Sequence, residues 1–134
     1  MTDLTPKPLP DAYDVLAPDG SEVRILLQLA GGSMAHFRLP PGQASQAVTH
    51  STVEEIWYVV EGEGEMWRKH GETERIDTLT PGTCLTIPVG THFQFRAPGT
   101  SAFAAVGVTM PPWPGMDEAV PVEGIWSVTA GAGA

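Results

Sequence analysis

The sequence predicts an all-β protein of the sandwich or jelly-roll kind, and three observations favour this class. The 134 residues are 42% hydrophobic and 17% charged, which suits one compact domain with a core of its own. The 15 glycines and 13 prolines are scattered along the chain and separate short stretches that alternate apolar and polar residues. No stretch has a convincing helical period. We therefore expect a single domain of short antiparallel strands.

The first strands follow an N-terminal arm. Residues 1–18 are predicted to be extended, free or laid against a neighbouring subunit, because the first ten residues include three prolines. The domain proper is expected at residues 19–110. It begins with a continuous apolar run at 22–30, and residues 33–39 then alternate until a Pro-Pro-Gly sequence breaks the chain. These two stretches are predicted to be consecutive strands.

A β-hairpin is predicted next. Residues 54–60 are rich in β-branched and aromatic side chains, a Glu-Gly-Glu-Gly turn follows, and residues 65–69 return as the second strand. Four more strand-like stretches, bounded by turns that contain glycine, lie at 72–79, 83–87, 91–97 and 101–110. About eight short strands of this kind are typical of two packed sheets.

The last part of the sequence, residues 111–134, contains too many prolines for a helix. It also carries Trp113 and Trp126, which are large enough to need burial. We therefore predict that this segment packs across an end or an outer face of the sheets.

Charge, the N-terminal sequence and the cysteine content exclude several functions. The net charge is -9, from 16 Asp and Glu against 7 Lys and Arg, so we expect binding neither to nucleic acid nor to an anionic membrane. The N-terminus lacks the basic start and apolar stretch of a signal peptide, which predicts a cytoplasmic protein. The single cysteine, Cys84, is flanked by Leu85 and Ile87 and is expected to be buried and unreactive.

Two spaced motifs carry the candidate chemistry. In the first, Gly42 precedes Val48 and His50, which lie two residues apart, and these are followed by Glu55 and Gly62. A histidine and a carboxylate near a strand, followed by a glycine turn, are a possible metal or acid–base pair.

In the second motif, Gly82, Pro88 and Gly90 are followed by Phe93 and Ala97. Together the two motifs resemble those of the cupin family of small double-stranded β-helix barrels, over roughly residues 39–110. The resemblance implies a cupin-like jelly-roll barrel. It also implies a site with two histidines, one carboxylate and often a third histidine, which holds Fe, Mn, Ni or Zn and leaves positions open for substrate or oxygen.

The resemblance places valine, phenylalanine and alanine at family ligand positions. Val48 stands at the first histidine position, Phe93 at the third and Ala97 at the asparagine position. His50 and Glu55 match the remaining two. The resemblance therefore implies a metal motif that is degenerate in this chain.

A third ligand would come from another histidine. His92 lies one residue before the family position, on the polar face that alternation gives to His92, Gln94 and Arg96, so it is off register for the cavity unless a bulge intervenes. His36 lies on a strand whose two faces the pattern does not tell apart. The metal candidates are therefore His50 and Glu55, joined by His92 or His36.

The same strand period predicts an apolar pocket. If Glu55 faces inward, so do Trp57 and Val59. The residues expected to line this pocket are Val48, His50, Glu55, Trp57, Phe93, Phe95 and His36. Because aromatic surroundings disfavour a charged carboxylate, Glu55 is the candidate general acid or base, and His50 is the second catalytic candidate.

Two functions follow. The first is a small-molecule-binding protein of the cupin type, whose mostly apolar barrel pocket takes an organic compound and whose metal site is weakened or absent. The alternative is a metal-dependent cupin enzyme, a dioxygenase, isomerase or lyase that acts on a small organic acid or phenolic compound. Whether the protein is an enzyme is left open. The resemblance also implies a homodimer formed through edge strands or terminal arms.

Overall fold

The computed structural model describes residues 3–131 and confirms the all-β class. The strands are β1 (Val15–Leu16), β2 (Glu22–Leu29), β3 (Gly32–Leu39), β4 (Val48–His50), β5 (Glu54–Glu61), β6 (Gly64–His70), β7 (Thr73–Leu79), β8 (Cys84–Ile87), β9 (His92–Arg96), β10 (Phe103–Met110) and β11 (Ala119–Pro121). One 3-10 turn, Met116–Glu118, precedes β11. The described residues include no helix long and apolar enough to cross a bilayer.

The strands form two antiparallel sheets that pack face to face. The six-stranded sheet has the order β1-β2-β3-β10-β5-β8, and the five-stranded sheet has the order β11-β4-β9-β6-β7. Neighbours in space are often distant in sequence, as with β3 and β10 or β4 and β9. This is the jelly-roll arrangement of a double-stranded β-helix.

The core lies between the two sheets, and strand β5 shows how the sequence produces it. Its side chains alternate, so Glu55, Trp57 and Val59 are buried, whereas the intervening Ile56 and Tyr58 are 42% and 54% exposed. Burying an apolar side chain completely stabilises the fold by about 1.5–3 kcal/mol. The two-residue period therefore decides which half of the strand stabilises the fold.

Glycines of the two motifs allow the turns between strands. Gly62, between β5 and β6, has a φ of 72°, and a β-carbon there would collide with the carbonyl oxygen of Ala102. Gly90, between β8 and β9, has a φ of 82°. Both positions favour glycine, because other residues rarely adopt a positive φ.

The described part of the N-terminal arm contacts strand β2 of its own chain. Lys7 Nζ donates a hydrogen bond to the carbonyl oxygen of Ile25 at 2.7 Å. Arg24 donates from Nε to Pro10 O and from a terminal nitrogen to Asp11 O, both at 2.8 Å. The arm ends in β1, which pairs with β2.

The C-terminal segment contributes a strand as well as a cover. Ala119–Pro121 forms β11, which pairs with β4 at the edge of the five-stranded sheet. The side-chain amide of Gln94 on β9 binds the residues that follow β11. Its nitrogen donates to the carbonyl oxygens of Ser45 and Trp126, and its oxygen accepts from the N–H groups of Ile125 and Trp126. The C-terminal segment therefore adds an edge strand to the five-stranded sheet and also packs against that sheet.

The expected burial of Cys84 is wrong. In β8, Leu85 and Ile87 face the core, and Cys84 is exposed. The reason is strand alternation, which turns Cys84 to the side opposite its apolar neighbour.

Candidate ligand-binding site

A cavity of about 270 Å³ opens between the two sheets. Its wall includes strands of both sheets, the segment 15–19 near β1, and the segment 113–119 near β11. At about 30 Å³ per water molecule, it has room for about nine waters or one compound the size of a single ring. Among the lining residues, Ile25 and Met116 are 55% and 53% exposed, so the cavity is open to solvent on this side.

The polar centre of the cavity is a histidine–glutamate pair contributed by different sheets. His50 ends β4 and Glu55 lies near the start of β5. Nδ1 of His50 is 3.8 Å from Oε1 of Glu55, which is too long for a hydrogen bond. The side chains are only 5% and 2% exposed. Nδ1 of His50 and Oε2 of Glu55 have no hydrogen-bond partner in the described part of the chain.

Aromatic rings form much of the remaining wall. Trp57 stacks on Phe37 with their ring centroids 5.3 Å apart. Phe93 and Trp113 each meet the imidazole of His50 in an edge arrangement, with centroids 5.1 Å apart. The rings hold His50 in place from two sides, because offset and edge contacts are the preferred geometries of such pairs.

Gly107 of β10 makes room for this arrangement. It pairs with Trp57 of β5 and with Ala35 of β3. A β-carbon at position 107 would lie 2.6 Å from Glu55 Oε2 and 2.7 Å from Phe37 Cε2. The carboxyl group and the Phe37 ring therefore pack directly on a bare stretch of backbone.

Burial raises the pKa of Glu55 to about 8. The indole N–H of Trp57, which lies beside the carboxyl group but short of hydrogen-bonding geometry, lowers the pKa in part, and the nearby carboxyl of Asp19 raises it further. This agrees with the raised pKa expected from aromatic surroundings. Near neutral pH the group is mostly a neutral acid that can donate a proton.

Burial also lowers the pKa of His50 to about 4, against a smaller opposing effect of the Glu118 carboxylate. Glu118 is held by the loop between β4 and β5, where it accepts hydrogen bonds from Thr52 and from the N–H of Val53. Burial raises the pKa of Glu118, but these hydrogen bonds outweigh it and leave a net lowering. His50 is thus neutral near pH 7, beside an ionised carboxylate.

A second carboxyl group, that of Asp19, lies in the cavity wall. It is 7% exposed and accepts hydrogen bonds from the N–H and hydroxyl of Ser21, at 2.9 and 2.6 Å. Burial raises the pKa of Asp19, and the hydrogen bonds from Ser21 oppose this.

The structure brings together most of the side chains predicted for the pocket. Val48, His50, Glu55, Trp57 and Phe93 all line the cavity. Val48 pairs with Phe93 across β4 and β9, so the residues at the first and third family histidine positions are neighbours on the inner face.

Three predicted site residues lie elsewhere, and strand geometry gives the reason. Phe95 is fully buried beneath Trp57, with their centroids 4.9 Å apart, and belongs to the core. His92 pairs with Thr49 and Lys69, and the inward position falls to Phe93. His36 is a buried residue on the opposite side of β3 from the cavity-lining Ala35 and Phe37.

The donors present do not fit the metal site that the resemblance implies. Among residues 3–131 no three His, Cys, Asp or Glu side chains lie close enough to hold one ion. His50 and Glu55 meet in the cavity, but neither His92 nor His36 joins them. Two protein ligands leave a divalent ion weakly held, because ligand number and geometry determine affinity.

Several site residues were not found from the sequence. Asp19 lies in a Pro-Asp-Gly turn, where an aspartate is ordinarily a solvated turn residue. Trp113 was expected to pack over the sheets, and its place in the cavity depends on how the chain after β10 returns. Alternation does place Phe37 on one strand face with Ala35 and Leu39, but it does not show which face of that strand is the inner one.

Comparison with known proteins identifies related sequences and structures. A family model described as a cupin domain (Cupin_2) matches residues 35–109. Comparison with curated proteins finds no match. An uncharacterised conserved protein with a double-stranded β-helix domain from Klebsiella pneumoniae superposes with a TM-score of 0.65 at 18% identity, over 89% of this chain and 91% of that one.

Two further structures have the same fold and carry names that suggest an activity. A predicted oxalate decarboxylase from Thermotoga maritima has a TM-score of 0.58 at 20% identity, over 68% of this chain and 80% of that one. Oxalate decarboxylase from Bacillus subtilis, described as having Mn(II) centres, has a TM-score of 0.67 at 14% identity, over 78% of this chain and 28% of that one. At these identities the likeness shows the fold alone.

Proposed function

The chain belongs to the cupin domain family, and from that premise we propose that it binds a small, mostly apolar organic molecule between its two sheets, with its metal site weakened or absent. The carrying observation is the cavity of about 270 Å³, whose wall is largely apolar and aromatic with a few polar groups, the His50–Glu55 pair among them. Small-molecule sites have this composition: an apolar wall gives affinity, and a few polar groups set orientation.

The unpartnered polar atoms support binding over a cavity that serves only as core. Buried polar groups are nearly always hydrogen-bonded, and leaving one unpaired costs about 1–3 kcal/mol. Nδ1 of His50 and Oε2 of Glu55 both lack a partner among the described residues. A ligand with a polar group near this pair would help to recover that cost.

A cavity-filling variant tests the proposal. Ala35 lines the cavity and carries none of its polar groups, so Ala35→Leu reduces the volume and leaves His50 and Glu55 in place. A panel of single-ring compounds should include one that raises the melting temperature of the unmodified protein. At 100 times the dissociation constant the stabilisation is about 2.7 kcal/mol, or several degrees. The same compound should have little effect on Ala35→Leu.

Val120→Leu is the matched control. Val120 is exposed and also lies on a strand, β11, so enlarging it leaves the cavity unchanged. A compound that stabilises the unmodified protein and both variants equally binds elsewhere, and that result would contradict the proposal.

The alternative, a metal-dependent dioxygenase, isomerase or lyase, is favoured by one observation: the two side chains that the resemblance assigns as ligands do meet in the cavity. Metal analysis of protein purified without added metal separates the two. We expect Fe, Mn, Ni and Zn together well below one ion per chain, because two ligands hold an ion weakly. Near-stoichiometric metal that His50→Ala removes and His92→Ala retains would support the enzyme instead.

A further inference from the structure

The described cavity wall contains acidic side chains and no strongly basic ones. Among the described residues, the cavity wall contains two carboxyl groups, those of Asp19 and Glu55, and no lysine or arginine. Nδ1 of His50 has no hydrogen-bond partner in the described part of the chain. A third carboxylate, Glu118, is outside the cavity lining and is held by hydrogen bonds from Thr52 and Val53. A bound group would therefore meet carboxyl groups and unpaired polar atoms and, within residues 3–131, no lysine or arginine.

The two carboxyl groups of the wall lack the cationic partner that buried acids usually have. Glu55 is 3% exposed, and the nearest basic group is the Nδ1 atom of His50 at 3.8 Å. Asp19 is 7% exposed, and its carboxyl group accepts hydrogen bonds only from Ser21 within the part of the chain that the structure describes. Neither forms an ion pair with a lysine or arginine there.

The apolar part of the wall has the same preference. Phe37, Trp57, Phe93 and Trp113 all line the cavity, and the face of an aromatic ring carries partial negative charge that attracts ammonium groups. Trp57 and Trp113 are tryptophans, the strongest of the aromatic side chains in this respect. Carboxyl groups and aromatic rings in the wall therefore both favour a positive ligand.

Resting on the proposed binding function, we infer that the ligand class is a small organic cation: a protonated amine on a single ring or a short apolar chain. Its ammonium group lies beside the Glu55 carboxyl and Nδ1 of His50, and its apolar part contacts the aromatic wall. With its proton on Nε2, neutral His50 accepts a hydrogen bond at Nδ1. An ammonium beside Glu55 would also favour the ionised carboxylate, which burial alone disfavours.

The same features disfavour organic acids. A carboxylate ligand would lose its hydration and gain no positive partner, since the wall within the described range has neither lysine nor arginine. The carboxyl groups of Asp19 and Glu55 could bond to it only in their protonated form and would repel it once ionised. The proteins of this fold that are named oxalate decarboxylases therefore do not indicate the ligand of this cavity.

Three compounds of nearly equal size test the inference by calorimetry: benzylamine, benzyl alcohol and benzoate. We expect benzylamine to bind at least about tenfold more tightly than benzyl alcohol, a difference of about 1.4 kcal/mol. Benzoate should bind most weakly. Equal or tighter binding of benzyl alcohol or benzoate would overturn the inference and leave the proposed function standing.

Glu55→Gln provides the second test, because it keeps the shape of the side chain and removes its ability to ionise beside an ammonium group. Benzylamine should then bind no more tightly than benzyl alcohol, whose affinity should change less than about twofold. Glu63→Gln makes the same change in an exposed turn and should leave the tenfold preference intact. If Glu55→Gln does not fold, Asp19→Asn gives the same comparison from the other carboxyl of the wall.

The outcomes separate the two proposals. A preference for benzylamine that Glu63→Gln reduces as much as Glu55→Gln would reflect the overall charge of -9, and the inference would be wrong. If none of the three compounds binds, or if all bind equally to Ala35→Leu, the cation site is overturned and the proposed function loses its support as well.

Discussion

At the scale of single residues, burial and not sequence position gives Glu55 its chemistry. Five glutamates lie between positions 54 and 65, and only Glu55 among them is buried. Strand alternation predicted that Glu55 faces inward together with Trp57, and the structure agrees. The sequence did not predict Asp19, because a turn aspartate becomes buried only through contacts with distant segments.

The raised pKa of Glu55 predicts how stability depends on pH. The pKa is about 8 in the folded protein against 4.5 ordinarily, so between these values the folded state binds more protons and stability falls as pH rises. His50 has the opposite effect between about 4 and 6.5, because its pKa is lowered from 6.5 to about 4. Between pH 6.5 and 8 His50 no longer opposes it, and the fall caused by Glu55 should amount to about 2 kcal/mol.

Denaturant unfolding of the unmodified protein and of Glu55→Gln across this pH range measures the effect. The variant has no titrating group at position 55, so its stability should decline less by that amount. Asp19 is present in both proteins, so the comparison removes its contribution apart from its interaction with Glu55. Parallel stability curves would show that the carboxyl of Glu55 has an ordinary pKa.

At the scale of elements, strand β9 serves two purposes with its two faces. Phe93 faces the cavity and Phe95 faces the core, whereas Gln94 between them is buried on the other side. Alternation correctly predicts that Phe93 and Phe95 face inward, but it also predicts a polar outer face for Gln94. It is 1% exposed because the segment after β11 covers it.

Removal of the Gln94 amide should therefore loosen the C-terminal segment. Gln94→Ala leaves two carbonyl oxygens and two N–H groups without their partner, and we expect a loss of at least about 2 kcal/mol. Hydrogen exchange should increase most at Ile125 and Trp126, whose N–H groups donate to Gln94.

Gln28→Ala is the control for this effect, since Gln28 is an exposed glutamine on β2. It should change stability by less than about 0.5 kcal/mol. Equal exchange rates in Gln94→Ala and the unmodified protein would mean that the segment is held by its other contacts.

Short strands mark the limit of element prediction. The eight longer or clearly alternating strands were expected, whereas β1, β4 and β11 contain two or three residues each and have no period to detect. β1 pairs with the next strand, β2, whereas β4 and β11 exist because partner strands from distant parts of the chain supply their hydrogen bonds. Such pairing is non-local and leaves little trace in the local sequence.

At the scale of the whole molecule, turns and alternation were enough to predict the class. Glycines in turns with a positive φ, such as Gly62 and Gly90, separate strands whose inner halves form one core. The cavity was harder to predict, because its wall draws on both sheets and both terminal segments. The expected homodimer stays a prediction.

The terminal segments give the cavity its individual character. The match to the cupin domain covers residues 35–109, whereas Asp19, Trp113 and Met116 lie outside that range and still line the cavity. The matched portion forms the barrel, and the two segments outside it complete the cavity wall and thereby affect which ligands fit. A relative with the same barrel and different terminal segments should therefore have a different ligand specificity. Ligand specificity in such proteins should be compared first in the segments before and after the barrel.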